Sequence, residues 1–302
     1  MTIKTPWSRL IRFIAPDDQI YYGDVVVGDN SPDFDVGAVA TSKEPWLVEA
    51  RVVEGNPLAE NCKVTDRIEV VKKLLGPLTK DTVSEIRCIG GNYAEHLNEL
   101  EYKRPFHPIM FPKFPNAVSG FQDDVVIPRI AQDDQADYEI ELAVVIGKEA
   151  KNVSVDEAYD YVLGYTVAND VSTRKWQLDP KLSSHQPQMS FSKSFDGFLP
   201  LGPCIVSAEL IKDPHSLTLE TRINREAELR QNSSTKHMIF SVPELIAHCS
   251  QGTTIQAGSI LTTGTPSGVG YRMDPPRYLR HGDKVQMTIQ GIGMLEHGIV
   301  YE

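Results

Sequence analysis

The sequence predicts a β-dominated α+β fold. Short apolar runs bounded by Gly, Pro and polar residues recur along most of it, among them EIELAVVIG, GYTVANDV, GPCIVS, LTLETRIN, SILTTG and KVQMTIQGIG. Each has the length and composition of a strand. Helix starts are few and well signed. The repeated strand–helix alternation that a doubly wound sheet or a βα-barrel needs is not visible.

Taken in order, residues 1–80 hold the strand-like runs WSRLIRFI, YYGDVVVG and WLVEARVVE, broken by Asp, Gly, Asn and Pro. They read as a small β-rich cap with hairpin punctuation. VKKLLGPLTKD follows as a short amphipathic turn and linker. From IRCIGGNYAEH the chain changes character, so the expected division is 1–80 and 81–302. Asn92-Tyr93-Ala94-Glu95 reads as a capping-box start for a short helix through Leu100. Ser154-Val155-Asp156-Glu157 reads as another, with Ala158, Tyr161, Val162 and Tyr165 following at one-face spacing. Ser241-Val242-Pro243-Glu244 starts a third, which Gly252 is expected to stop.

Composition narrows the function classes. The 302 residues are 41% apolar, enough for a sizeable core. A formal net charge of −11 gives no general pull on phosphate backbones or anionic lipid, so nucleic-acid and membrane partners are not expected. No apolar run approaches a membrane span. Arg9 and Arg12 interrupt the opening apolar stretch, which therefore does not read as a signal peptide. Cys62, Cys88, Cys204 and Cys249 are scattered and read as reduced core thiols of a cytosolic protein.

The chemistry is concentrated in Asp137-Tyr138-Glu139-Ile140-Glu141-Leu142-Ala143-Val144-Val145-Ile146-Gly147. Strand side chains alternate faces, so Glu139 and Glu141 point the same way. Alternating acids often mark a solvent face, but LAVVIG is apolar on both faces, as in a buried strand. Asp170 ends a second apolar run. Three buried carboxylates suit a hard divalent cation. His96 and Glu99 share a helix face, a spacing that orients an imidazole to activate water; a surface pair is the plain alternative. The adjoining LEYKRPFHPIMF has the charge and proline content of a lid. Lys193 lies among aromatics, either snorkelling or facing a developing anion. Arg174 and Gln177 are one helical turn apart and are placed to meet substrate oxygens. The loop Gly264-Thr265-Pro266-Ser267-Gly268-Val269-Gly270 lacks the Lys-Ser/Thr ending of a nucleotide-binding loop. It offers N–H groups and the Thr265 hydroxyl to a carboxylate, or is a structural turn.

The ordered set IRCIGGNYAEHLNE, DYEIELAVVIGKEAKNVSVDEAYDYVLGYTVANDVSTRKWQ, KSFDGFLPLGP, MIFSVPELIAHCSQGTTIQAG and LTTGTPSGVG resembles the fumarylacetoacetate hydrolase family over residues 81–302. The resemblance implies a mixed β-roll or barrel-like catalytic domain, usually a homodimer, behind a small N-terminal cap. It implies Mg2+, with Mn2+ or Ca2+ as alternatives, on Glu139, Glu141 and Asp170. By motif position His96 and Glu99 match the lid dyad and Lys193 the catalytic lysine. Arg174, Gln177 and Thr265 match substrate contacts, and Lys113 matches a pocket lysine. The chain departs from many relatives at Gly91, Lys175 and Phe114, which alters the lid and pocket floor. The implied activity is metal-dependent hydrolysis of a carbon–carbon bond in a small 1,3-dicarbonyl acid such as an acylpyruvate. Oxaloacetate decarboxylation, keto–enol tautomerisation and hydration or isomerisation of unsaturated 2-oxo-diacids stay open, since all use a stabilised enolate.

Overall fold

The computed structural model describes residues 3–27, 34–42, 48–59 and 61–302. Trp46 and Leu47, which begin the run WLVEARVVE, lie outside the described residues. Strands dominate and helices are short, as expected. Among the described residues a 12-stranded sheet has ten strands in the order Lys63–Val70, Glu49–Glu54, Ile20–Val25, Arg9–Ile14, Leu199–Ser207, Val162–Asn169, Ile140–Ile146, Ile260–Thr262, Ile86–Gly90 and Ile109–Lys113, with Lys73–Leu75 paired to Arg9–Ile14 and Val118–Ser119 to Leu199–Ser207 off that path. A 5-stranded sheet joins Gln231–Ser234, Thr218–Ile223, Lys284–Ile289, Gly293–Tyr301 and Val125–Ile127. Both sheets are open and mixed; neither closes into a barrel. The N-terminal strands continue the large sheet through the antiparallel pairs Arg9↔Val206 and Leu10↔Ile205.

The strand Ile140–Ile146 shows how sequence sets the site. Every residue of it is buried. Ile140, Leu142, Val144 and Ile146 enter one hydrophobic cluster, while Ala143 and Val145 enter a second on the opposite face. Continuing that second face toward the strand's start gives Glu141 and then Glu139. The period of two thus carries both acids to the rim of a dry core. Burying each large aliphatic side chain here stabilises by about 1.5–3 kcal/mol, which offsets the cost of holding acids beside them.

Three local expectations are corrected. Ser154 and Glu157 do hydrogen-bond, Ser154 Oγ donating at 2.6 Å. Only a 3-10 turn at Ala158–Tyr161 follows, and Val162–Asn169 is a strand between Ile140–Ile146 and Leu199–Ser207. Its one-face spacing was outweighed by β-branched content and burial on both faces. Asn92 does not cap the helix Ala94–Leu100. Its amide donates to the Phe240 and Thr263 carbonyls at 3.0 and 2.9 Å and accepts from Phe240 N, tying distant loops together. The segment read as a linker contributes the strand Lys73–Leu75, paired with Arg9–Ile14. The third capping box forms as read: Ser241 and Glu244 cap Val242–Cys249, which ends at Ser250, two residues before Gly252.

Candidate active site

Carboxylate oxygens of Glu139, Glu141 and Asp170 lie within 4.8 Å of one another, and all three residues are buried. Antiparallel pairing of Ile140–Ile146 with Val162–Asn169 puts Ile140 opposite Asn169, so the two strand ends deliver their acids to one point. Asp170 N donates to Glu139 O at 2.9 Å and fixes that register.

Buried cations surround the acids. Lys193, at the end of the short helix Met189–Lys193, donates to Glu139 Oε2 at 2.9 Å, Asp170 Oδ2 at 2.8 Å and Ser172 Oγ at 2.6 Å. All three ammonium N–H groups are therefore committed. Lys113 donates to Asp170 Oδ1 and to the Phe198 carbonyl, both at 2.6 Å. Arg174 Nε donates to Asp137 Oδ2 at 2.8 Å and Nη1 to Gln177 Oε1 at 2.9 Å. Its Nη2 stands 2.7 Å from Glu139 Oε1, an ion pair by distance but out of line for a hydrogen bond, so this buried nitrogen has no hydrogen-bond partner.

These charges separate the two glutamates. Burial alone would raise Glu139, but Lys193 and Arg174 outweigh it and hold its carboxyl at about 2. Burial pushes Glu141 well above the ordinary carboxylate range, and the Asp170 and Glu139 charges push it further. Burial opposes the charge of Lys193, yet Asp170 and Glu139 keep it firmly protonated. Four buried carboxylates (Asp137, Glu139, Glu141, Asp170) face three buried cations (Lys113, Arg174, Lys193), one short of balance. Glu141 is the carboxyl without a matching cation, and its neutral form is favoured for that reason. A converging set of buried oxygen donors, one of them short of a cation, fits a hard divalent cation.

The Gly-rich loop after Ile260–Thr262 does hold carboxylates, and they are the protein's own. Gly264 N donates to Glu141 Oε2 at 2.5 Å, Gly268 N to Glu99 Oε1 at 2.9 Å and Gly270 N to Asp137 Oδ1 at 2.8 Å. Gly268 has φ +99, and a Cβ there would meet the Arg230 carbonyl oxygen at 2.0 Å, so only glycine fits. Thr265 Oγ1 accepts from Gln231 Nε2 at 2.8 Å, which leaves its own proton free to donate.

A cavity of about 470 Å³ opens at this cluster. Its polar wall is His96, Glu139, Arg174, Gln177, Lys193 and Thr265. His96 is buried, and its Nδ1 lies 2.9 Å from Glu99 Oε2. With Glu99 accepting the Nδ1 proton, Nε2 is left as a proton acceptor. The lid segment contributes Leu100, Glu101, Tyr102 and Lys103 to the wall.

Of the ten residues singled out from sequence, eight belong to the carboxylate cluster or the cavity wall, and Glu99 stands behind the wall, bonded to His96 Nδ1. Lys113 does not line the cavity either; it reaches the cluster from behind, through Asp170 Oδ1. Glu141 and Asp170 lie behind the wall with it. Sequence reasoning missed Asp137, Ser172 and Tyr271. Asp137 stood two residues before Glu139, and that spacing was its signal. Tyr271 lines the cavity with the Arg174 guanidinium 4.4 Å from its ring centroid, and burial raises its hydroxyl to about 12. Nothing in its local sequence marks it.

Comparison with known proteins agrees with this geometry. The profile of the fumarylacetoacetate (FAA) hydrolase C-terminal family matches residues 85–300. The oxaloacetate tautomerase of Bacillus subtilis is 44% identical over 229 residues, 75% of this chain and 73% of that protein. The caffeoylpyruvate hydrolase of Neonothopanus nambi is 37% identical over 305 residues, 99% of this chain and 96% of that protein. The crystal structure of 2-hydroxyhepta-2,4-diene-1,7-dioate isomerase from Mycobacterium marinum superposes with a TM-score of 0.76 at 30% identity, covering 98% of this chain and 99% of that one. These relatives act on oxo acids or their enols by different reactions. The match over most of its length, on a β-dominated fold with a converging acidic triad, places this chain in the fumarylacetoacetate hydrolase family.

Proposed function

We propose that the protein is a metal-dependent hydrolase that cleaves the carbon–carbon bond of an acylpyruvate-type 1,3-dicarbonyl acid. The observation that carries this reading is the His96–Glu99 pair. The imidazole sits in the cavity wall with Nδ1 tied to Glu99, and Glu99 is itself tied to Gly268 N. An imidazole fixed in this way presents Nε2 to a water as a general base. Glu139, Glu141 and Asp170 would hold Mg2+, or Mn2+ or Ca2+. When bound, the cation supplies the Lewis acidity that binds a 2-oxo acid and lowers the cost of enolate charge.

The chain's residues divide the remaining work. The Nη2 of Arg174, ion-paired with Glu139 but without a hydrogen-bond partner, and the Thr265 hydroxyl donate to the substrate carboxylate. Gln177 and Asp137 hold the guanidinium in place. His96 Nε2 takes a proton from water as its oxygen bonds to the distal carbonyl carbon. The carbon–carbon bond then breaks, leaving a carboxylic acid and the enolate of pyruvate, which is protonated on carbon. Lys193 has no spare N–H, so it acts as a fixed positive charge toward the enolate. His96→Ala is the test. The reading requires a large fall in hydrolysis with little change in affinity for a 2-oxo-acid analogue, because the base acts in the transition state. Unchanged hydrolysis removes His96 as the base.

A second reading, tautomerisation of oxaloacetate, is supported by the Bacillus subtilis relative. It uses His96 as a proton shuttle between carbon and oxygen and consumes no water. A homodimeric, cytosolic enzyme completes the proposal. Family membership supports the dimer, and four free, buried cysteines are compatible with a reducing compartment.

A further inference from the structure

The polar wall accounts for one part of the cavity; the rest is apolar. Leu97 of the helix Ala94–Leu100, Ile109 and Phe111 of the strand Ile109–Lys113, and Leu178, Pro187 and Met189 surround it. Gly90 and Gly91 present no side chain there, so part of the wall is bare backbone. At Gly90 an added Cβ would touch Met189 Cε at 3.4 Å and the Phe111 ring at 3.8 Å, which shows these side chains converging on that spot. Phe111 links this region to the chemistry, with Lys193 Nζ 5.5 Å from its ring centroid. Ile109 and Tyr102 are 50% and 58% exposed, partly uncovered apolar surface that a ligand would cover.

A four-carbon oxo-diacid needs none of this space. Its second carboxylate needs a second cation, and the buried cations of the wall are taken: Arg174 by Asp137, Glu139 and the first carboxylate, Lys193 by Glu139 and Asp170. Lys103 is the remaining cation of the wall, and it is exposed on the lid segment. Drug-sized ligands occupy pockets of about 300–1,000 Å³ lined mainly by apolar groups with a few fixed polar ones. This cavity has that character.

We propose that the substrate is a 2-oxo acid whose acyl end is a bulky apolar or aromatic group, seated against Ile109, Phe111 and Met189. The inference rests on the hydrolase reading for its reaction but not for its binding. The test therefore has a binding arm and a kinetic arm. In the binding arm, the Mg2+-loaded protein is titrated calorimetrically with pyruvate, phenylpyruvate and oxaloacetate. Phenylpyruvate is expected to bind at least tenfold more tightly than pyruvate, and Ile109→Trp, which fills the space, to bring that ratio down at least fivefold. Equal affinities overturn the proposal whatever the enzyme cleaves. So does oxaloacetate binding most tightly with that advantage lost in Lys103→Gln, which would assign the far end to a carboxylate. In the kinetic arm, kcat/KM for benzoylpyruvate is expected to exceed that for acetylpyruvate at least tenfold, the ratio again falling in Ile109→Trp. Tight phenylpyruvate binding without cleavage of either acylpyruvate overturns the hydrolase reading and leaves the apolar subsite standing. Cleavage with the opposite preference overturns the subsite.

Discussion

Nε2 of His297 lies 2.9 Å from the side-chain nitrogen of Asn169. The Asn169 side-chain oxygen accepts from Glu139 N at 3.0 Å, so its amide orientation is fixed and Nδ2 must be the group facing the imidazole. His297 Nδ1 lies 3.2 Å from the Gly298 carbonyl, a donor position. The ring is therefore neutral, and Asn169, one residue before Asp170, is braced from the five-stranded sheet. Burial lowers His297 to about 4.

The sign follows from proton counts. The unfolded imidazole titrates near the ordinary value of 6.5 and the folded one near 4, so between these pH values the unfolded state binds more protons. Stability is full above that window and falls as pH drops through it, by about 3 kcal/mol in total. His297→Gln keeps an acceptor for Asn169 and removes the titration. Denaturant melts of both proteins across the window should show a shallower acid limb in the variant; parallel limbs would mean that His297 is not buried neutral.

Burial, Asp170 and Glu139 disfavour the charged form of Glu141, a cost at neutral pH that a neutral side chain escapes, so Glu141→Gln should raise the melting temperature of the protein in chelator. The wild type should gain stability from Mg2+ or Mn2+, about 2.7 kcal/mol at a hundredfold excess over the dissociation constant. The variant should lose most of that gain and its turnover. A full divalent-dependent shift retained in Glu141→Gln would remove this residue from the metal set.

Gly268→Ala places a methyl against the Arg230 carbonyl at a backbone conformation that L residues resist. The expected cost is about 1–3 kcal/mol. The displaced N–H also releases Glu99, so kcat should fall more than affinity for a 2-oxo acid. A variant that is destabilised but keeps full kcat would separate the loop from the dyad.

Much of this site was legible before the structure. Period-two alternation put Glu139 and Glu141 on one face, and the apolar flank announced a buried strand. One-turn spacing put Arg174 beside Gln177 and His96 beside Glu99. What stayed hidden depends on contacts distant in sequence. Lys113 reaches Asp170 only because Ile109–Lys113 pairs with Ile86–Gly90. The acids served by Gly264, Gly268 and Gly270 lie far upstream in the chain. The helix read after Ser154 failed for the same reason: local spacing favoured it, and two flanking strands decided otherwise.

Hydrolysis at this site requires His96 to direct water at a carbon–carbon bond. Its most direct test is product analysis after turnover of acetylpyruvate and benzoylpyruvate in oxygen-18-labelled water with Mg2+. Pyruvate is expected together with acetic or benzoic acid, one label entering the released acid's carboxyl group, and this product should fall by about 10²–10⁴-fold in His96→Ala. Keto–enol exchange with no cleavage and no labelled carboxyl group released, across the acylpyruvates and oxaloacetate, would contradict hydrolysis and assign the site to tautomerisation.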